Sequence, residues 1–409
     1  MATVSPLAPA GFPPMAPIAG VRLAAFAAGV RYAGRNDLMV AELAPGSTVA
    51  GVFTQSTMPG QPVIWCRRVL PGGRARAIVV NSGNANVFTG PAGWRVVEAT
   101  AAAAARVFDC APEEVFIAST GVIGEPPPPD KIVAALPQVA QLVSPDKWEE
   151  AARAIMTTDT FPKGATATAT IDGATVRING FCKGSGMIAP DMATMLCYLF
   201  TDAALPAPVL QPLLVAANEW SLNCVTVDGD TSTSDTVLLC ATGRVGHGAV
   251  ARPDDPRLDD FKRALAAVMT DLAQQIARDG EGAEKFVTIE VKGAASARAA
   301  RRVGLAIGNS PLVKTAISAG DANWGRIVMA VGKAGETTDR DRLSIAIGGI
   351  LIAAQGGPVP GYDEAPVAAH MQGRDITIAV DLGIGNGRAT VWTCDLTHGY
   401  VDINGSYRS

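Results

Sequence analysis

Two periods of apolar residues run through the chain, and they predict both helices and strands. Phe261, Leu265, Val268, Leu272 and Ile276 recur every three or four residues. That spacing puts them on one face of a helix over 258–278, which Gly280 ends. The alanine-rich stretch 94–108 and the segments 131–143 and 206–222 read as further helices. Ser144 followed by Pro145 reads as an N-cap with proline in the first turn, opening a helix to about residue 156. Period-two alternation over 287–291, 376–380 and 389–393 predicts strands, with 383–387 as the loop between the last two. Apolar runs at 63–66 and 77–80 read as strands near the start of the chain. Asp172-Gly173 sits between two β-prone runs over 166–178. It is a dipeptide that a type I′ turn favours, so this stretch reads as a hairpin.

Helices and strands do not alternate simply, and no internal repeat is visible. The mixture predicts an α+β or layered α/β architecture with substantial antiparallel pairing. With 409 residues the chain can bury one large or two medium cores. A formal net charge of -4 and only short basic clusters give no surface for nucleic acid. The longest apolar run, 344–354, is too short to span a bilayer and is broken by Gly348 and Gly349. The first fifteen residues lack the basic and apolar regions of a signal peptide. Seven scattered cysteines form no CxxC pair, which argues against a disulfide framework or zinc site and for a cytoplasmic location. The three histidines, His247, His370 and His398, lie in segments without catalytic character, so any acyl-transfer chemistry here would use a base other than imidazole.

One segment is unusual. In KGSGMIAPDMATML (183–196) a glycine-rich turn leads through Pro190 and Asp191 to Ala193 and Thr194, which opens an apolar run. On residue chemistry alone, Thr194 reads as a cap where a loop enters a buried strand or helix. A second reading starts from what a threonine nucleophile needs, which is a base beside it. A threonine at a chain N-terminus carries its own, because a free α-amine with a pKa of about 8 is partly neutral near pH 7. Its hydroxyl could also make the cut, by attacking the carbonyl of the small residue Ala193.

Eight segments in order tip the balance: NSGNAN (81–86), STGVIG (119–124), MTTDTFPK (156–163), KGSGMIAPDMATML (183–196), DGDTSTSDT (228–236), DGEGAEKF (279–286), GDANWGRI (320–327) and VDINGSYRS (401–409). Together they cover essentially the whole chain, and through them it closely resembles the ornithine acetyltransferases, also called glutamate N-acetyltransferases, of arginine biosynthesis.

That resemblance implies a layered αββα-type sandwich with antiparallel sheets, and self-cleavage between Ala193 and Thr194. The products would be an α chain of 1–193 and a β chain of 194–409 that stay together as an α2β2 heterotetramer. It implies a ping-pong reaction in which Thr194 takes the acetyl group of N2-acetylornithine and passes it to L-glutamate. No cofactor is implied, although some members also use acetyl-CoA as donor. Thr120 and Gly121 match the family's oxyanion-hole pair. Thr157, Lys183, Thr194, Glu281, Asn404 and Ser409 match its substrate-contacting positions, with Lys183 suited to an α-carboxylate and Glu281 to the δ-ammonium of ornithine. The same Glu281 should repel the side chain of glutamate. The chain departs from the common pattern at Val87, Phe88, Asp191, Glu284, Gly405 and Ser409, and none of these removes a group the mechanism needs. Two other readings compete: an N-terminal-nucleophile amidase or aminopeptidase, which passes the acyl group to water, and a non-catalytic amino-acid-binding protein that never cleaves.

Overall fold

The computed structural model describes residues 3–189 and 195–406. The first half runs β1 Val21–Phe26, β2 Leu38–Leu43, β3 Thr48–Phe53, α1 Gln61–Val69, β4 Ala77–Asn84, α2 Gly90–Phe108, β5 Val115–Val122, α3 Pro129–Leu142 and α4 Trp148–Ala154. The middle runs β6 Lys163–Ile171, β7 Ala174–Lys183, β8 Leu196–Ala203, α5 Ala207–Glu219, β9 Thr236–Val245 and α6 Asp259–Arg278. The remainder is β10 Phe286–Ala294, α7 Ala297–Gly308, α8 Pro311–Ser318, α9 Trp324–Gly332, β11 Ser344–Ile347, β12 Ile350–Ala354, β13 Gly357–Pro358, α10 Glu364–Met371, β14 Asp375–Asp381, β15 Gly387–Cys394 and α11 His398–Gly405.

The strands form three sheets, ordered β1-β2-β4-β5, β3-β9-β8-β7-β6 and β13-β12-β11-β14-β10-β15. Most neighbours are antiparallel, while β4/β5, β8/β9 and β10/β14 are parallel. The central sheet explains the layering. Along β8, Leu196, Tyr198 and Phe200 face one core, and Cys197 and Leu199 face the other. Leu238 and Cys240 of β9 join the first core; Val237 and Leu239 join the second. A strand buried on both faces reads as a continuous apolar run, as this one does. One core lies against the first sheet and α1 to α4; the other lies against α5, α6 and the third sheet. The layered α+β architecture is therefore borne out.

Several expected elements hold. The five-residue apolar stripe of α6 is wholly buried. The hairpin turns at Asp172 and Gly173, both with positive φ, 51° and 79°. Residues 344–354 fold as the β11/β12 pair, turning at Gly348 and Gly349. Among the described residues no helix is long and apolar enough to cross a membrane.

Two expectations fail. Residues 63–66 lie in α1, not in a strand: Pro62, Val63, Trp65, Cys66 and Val69 are its buried face, while Ile64 is exposed. A four-residue apolar run cannot decide between the two periods, and Pro62 in the first turn favours the helix. Ser144 does not cap a helix. Its backbone exchanges two hydrogen bonds with Leu23 of β1, at 2.8 and 2.9 Å, and α4 starts only at Trp148. Trp148 then packs edge-on against Phe181 and Phe200, with ring centroids 6.4 and 5.7 Å away. Burial of that indole, rather than the cap, sets where the helix begins.

Candidate active site

Near its end the parallel pair β4/β5 sets Ser82 opposite Thr120 and Gly83 opposite Gly121, and Asn84 opposite Val122 closes it. Gly121 has φ +126°, and a Cβ there would stand 2.3 Å from the carbonyl carbon of Gly83. Only glycine permits the two backbones to approach so closely. Polar side chains brace the pair from within: Ser119 donates to Asn81 Oδ1 at 2.6 Å, and Ser82 to the Ala154 carbonyl at 2.8 Å. Thr120 and Gly121 are thus held by backbone geometry.

Lys183 ends β7. Its Nζ donates to the hydroxyls of Thr120 and Thr157, 3.1 Å each. Each hydroxyl accepts there and keeps its own hydrogen for another partner.

Behind this wall lies an ion cluster that the sequence reading did not single out. Lys163 Nζ sits 2.7 Å from Asp159 Oδ1 and 2.5 Å from Asp279 Oδ2, with all three side chains shut off from solvent. Burial alone would raise the Asp159 carboxyl. The Lys163 ammonium, helped by Lys183, instead holds it at about 2. Burial also pushes against a charged Lys163, but the two carboxylates raise its pKa above the usual value. Asp279 goes the other way, raised mainly by burial. The cluster ties three segments together. Asp159 accepts from the backbone N–H of Thr157 (3.1 Å) and of Gly184 (2.6 Å). Ser185 Oγ donates to the Asp279 carbonyl at 2.6 Å, and Glu281 N donates to the Ser185 carbonyl at 3.1 Å. Thr157, Lys183 and Glu281 are therefore placed by one buried network. The signal available in the sequence was an acid and a base four residues apart in MTTDTFPK.

The C-terminal helix closes the opposite side. At Gly282, φ is +72°, and a Cβ would lie 2.4 Å from the Tyr400 nitrogen, so α11 rests directly on the loop after α6. Thr397 Oγ1 donates to the Gly282 carbonyl at 2.6 Å. Asn404 Nδ2 then reaches Glu281 Oε2 at 2.7 Å.

Thr120, Gly121, Thr157, Lys183, Glu281 and Asn404 all line one cavity of about 370 Å³. Met195 and Leu196 line it too, where the chain enters β8, and Thr236 N donates to the Met195 carbonyl at 2.9 Å. Ala193, Thr194 and Ser409 lie outside the described residues. None of the histidines lines the cavity: His247 and His370 accept backbone N–H bonds from Ala204 and Thr377, both at 2.9 Å. The sequence reading missed one stretch of the wall, residues 232–235. It belongs to the motif DGDTSTSDT and supplies Ser232, Thr233, Ser234 and Asp235.

A family model described as the ArgJ family matches residues 22–409. Similar relatives include the arginine biosynthesis bifunctional protein ArgJ of Gluconobacter oxydans, 59% identical over 406 residues, covering 99% of this chain and 96% of the relative. The ArgJ of Brucella suis is 56% identical over 411 residues, covering the whole of both chains. A crystal structure of arginine biosynthesis bifunctional protein argJ from Bacillus halodurans is 43% identical, covering 50% of this chain and 96% of that one, with a TM-score of 0.48.

Proposed function

The chain belongs to the ArgJ family and is an acetyltransferase of arginine biosynthesis, and we propose that it moves the acetyl group of N2-acetylornithine to L-glutamate through an acetyl-Thr194 intermediate. The observation that carries this reading is the convergence of Thr120, Gly121, Thr157, Lys183, Glu281 and Asn404 on one cavity.

The Ala193–Thr194 bond is cut first, leaving 1–193 and 194–409 associated, as an α2β2 assembly. The α-amine of Thr194 then takes the proton of its own hydroxyl, and Oγ attacks the acetyl carbonyl. Thr120 and Gly121 stabilise the tetrahedral oxyanion; one such donor is worth roughly 10²–10³ in rate. Lys183 binds the substrate α-carboxylate, and its hold on Thr120 and Thr157 turns their hydrogens toward substrate oxygens. Glu281, oriented by Asn404, receives the δ-ammonium of ornithine. Acceptance of glutamate in the same space rests on the hydroxyls of Thr158, Ser232, Thr233 and Ser234 in the wall. A hydroxyl can donate to a carboxylate or accept from an ammonium, so this part of the lining suits either side chain. Acetyl-CoA is a second donor, a reading supported by the description of the relatives as bifunctional. All seven cysteines are free thiols, in keeping with a cytoplasmic enzyme.

The test is intact mass beside an acetyl-transfer assay. Purified protein should contain a chain beginning Thr-Met-Leu. Thr194→Ala should stay uncut and inactive, and Thr194→Ser should keep part of both activities. Acetylornithine consumed equally fast without glutamate would favour the hydrolase, and an uncut active chain would remove the mechanism. Assay with acetyl-CoA alone decides the second donor.

A further inference from the structure

Asp235 is the carboxyl in the cavity wall that the mechanism above leaves unused. It is 2% exposed and stands beside Ser234 and Ser232 in the lining. Among the described residues its Oδ2 is buried with no hydrogen-bond partner, as is Oγ of the preceding Ser234. An orphaned carboxyl oxygen is costly unless something uses it. The backbone shows where it points the chemistry. Asp235 precedes Thr236, whose N–H holds the Met195 carbonyl, and Met195 directly follows the nucleophile in sequence. The Asp235 carbonyl is set by the β3/β9 edge, where it accepts from Thr54 N at 3.0 Å. We propose that Asp235 is a further catalytic residue, a carboxyl that carries the proton exchanged between the two substrate amines.

The inference rests on the ping-pong reading. In the overall reaction ornithine leaves as an ammonium and glutamate enters as one, so one proton passes from the acceptor amine to the donor amine. The two are never bound together, so the proton passes either through solvent or through a group in the cavity wall, and Asp235 is the carboxyl placed there to hold it. In the first half-reaction the Oγ–acetyl bond forms and the amide C–N bond breaks. The hydroxyl proton passes through the α-amine to the leaving nitrogen, making a neutral amine. Asp235 then gives its proton to that amine, which departs as ammonium and leaves a carboxylate. In the second half-reaction the glutamate ammonium gives one proton to Asp235. The freed amine attacks the acetyl carbonyl, its next proton returns through the α-amine to the threonine oxygen, and both groups regain their starting state.

The surroundings suit a carboxyl that is protonated at rest. Burial raises its pKa well above the usual range, and Ser232 and Lys183 only partly oppose this. Lys183 reaches the cavity from β7 and Glu281 from the loop after α6, while Asp228 and Asp230 lie in the loop before β9 that also carries Asp235. Arg67 of α1 is directed at the Thr54 carbonyl. Lys183 is thus the one cation among the described lining residues, and it would stabilise the carboxylate that forms once the first amine has left.

The test compares wild type with Asp235→Asn over pH, measuring acetyl-enzyme formation from acetylornithine and its discharge to glutamate separately. Asp235→Asn should cut by electrophoresis as wild type does and keep KM for both substrates within about threefold. Its kcat should fall by roughly 10²-fold, the scale of general acid–base catalysis. Discharge to glutamate should also recover as pH rises, because the amine must now arrive already neutral. An unchanged kcat and pH profile in Asp235→Asn overturns the proposal, as does a loss confined to KM. Should Asp235→Asn not fold, Asp235→Glu takes its place: a wild-type pH profile at reduced rate supports the role, and a profile displaced like that of an amide removes it. Absence of acetyl transfer in the wild type would instead sink the function proposed above, which keeps the two failures apart.

Discussion

The two walls of the cavity are built on different physics. The wall carrying Thr120 and Gly121 is two parallel strands pressed together at Gly83 and Gly121, with neutral side chains bracing them. The wall carrying Thr157, Lys183 and Glu281 hangs on one buried lysine shared by two aspartates. The first is fixed by backbone sterics, which neither pH nor salt alters. The second is fixed by charge, so removal of one member leaves another buried and unpaired. The groups that stabilise a transition-state oxyanion sit on the stiff wall. The groups that must fit two different amino acids sit on the wall made of ions and hydroxyls.

Three experiments separate the walls. The largest effect is expected from Lys163→Met, which strands Asp159 and Asp279 without a counter-ion. It should cost roughly 3–5 kcal/mol in urea unfolding. Acid adds a second readout. The folded pKa of Asp159, held at about 2, lies below its unfolded value, so the stability it contributes is present above about pH 4 and is lost as pH falls toward 2. Asp279, raised, works in the opposite sense over the range between its unfolded and folded values. In Lys163→Met burial is no longer opposed by that ammonium and raises Asp159, so the stability lost to its protonation in acid should shrink or change sign, and acid unfolding followed by circular dichroism checks it. An unchanged acid limb would show that the charged wall does not depend on this lysine.

Gly121→Ala probes the stiff wall. The added methyl must displace the Gly83 backbone. The expected result is a kcat lowered by roughly 10²–10³, as for loss of one oxyanion donor, with acid unfolding unlike that of Lys163→Met. The smallest effect belongs to Asn404→Ala, which removes one neutral hydrogen-bond donor from the buried Glu281 carboxylate and breaks no ion pair. KM for acetylornithine should rise about fivefold, near 1 kcal/mol, with kcat little changed. A kcat loss instead would place Asn404 with the reacting atoms.

Much of this was legible in the sequence because the signals are local. The α6 stripe, the Asp172-Gly173 hairpin and the alternation of β10, β14 and β15 depend on neighbours within one turn or one strand. The site was legible only through eight motifs and their family order, since nothing in the bare chemistry of Lys183 or Glu281 distinguishes either from a surface charge. Residues 63–66 and Ser144 were misread where a distant partner decided the outcome: a helical face buried on β5 in one case, a bridge to Leu23 in the other.

Period, turn dipeptides and motif order by themselves determined which segments are helix or strand in most of the chain, and which segments carry chemistry. The tertiary structure alone decided that Asp159, Lys163 and Asp279 share one buried charge network although more than a hundred residues separate the first from the last. It alone put Asp235 in the same wall as Lys183. The reason is physical: the worth of a charge is set by its burial and its partner, and both are properties of what the folded chain brings beside it, not of its neighbours along the chain.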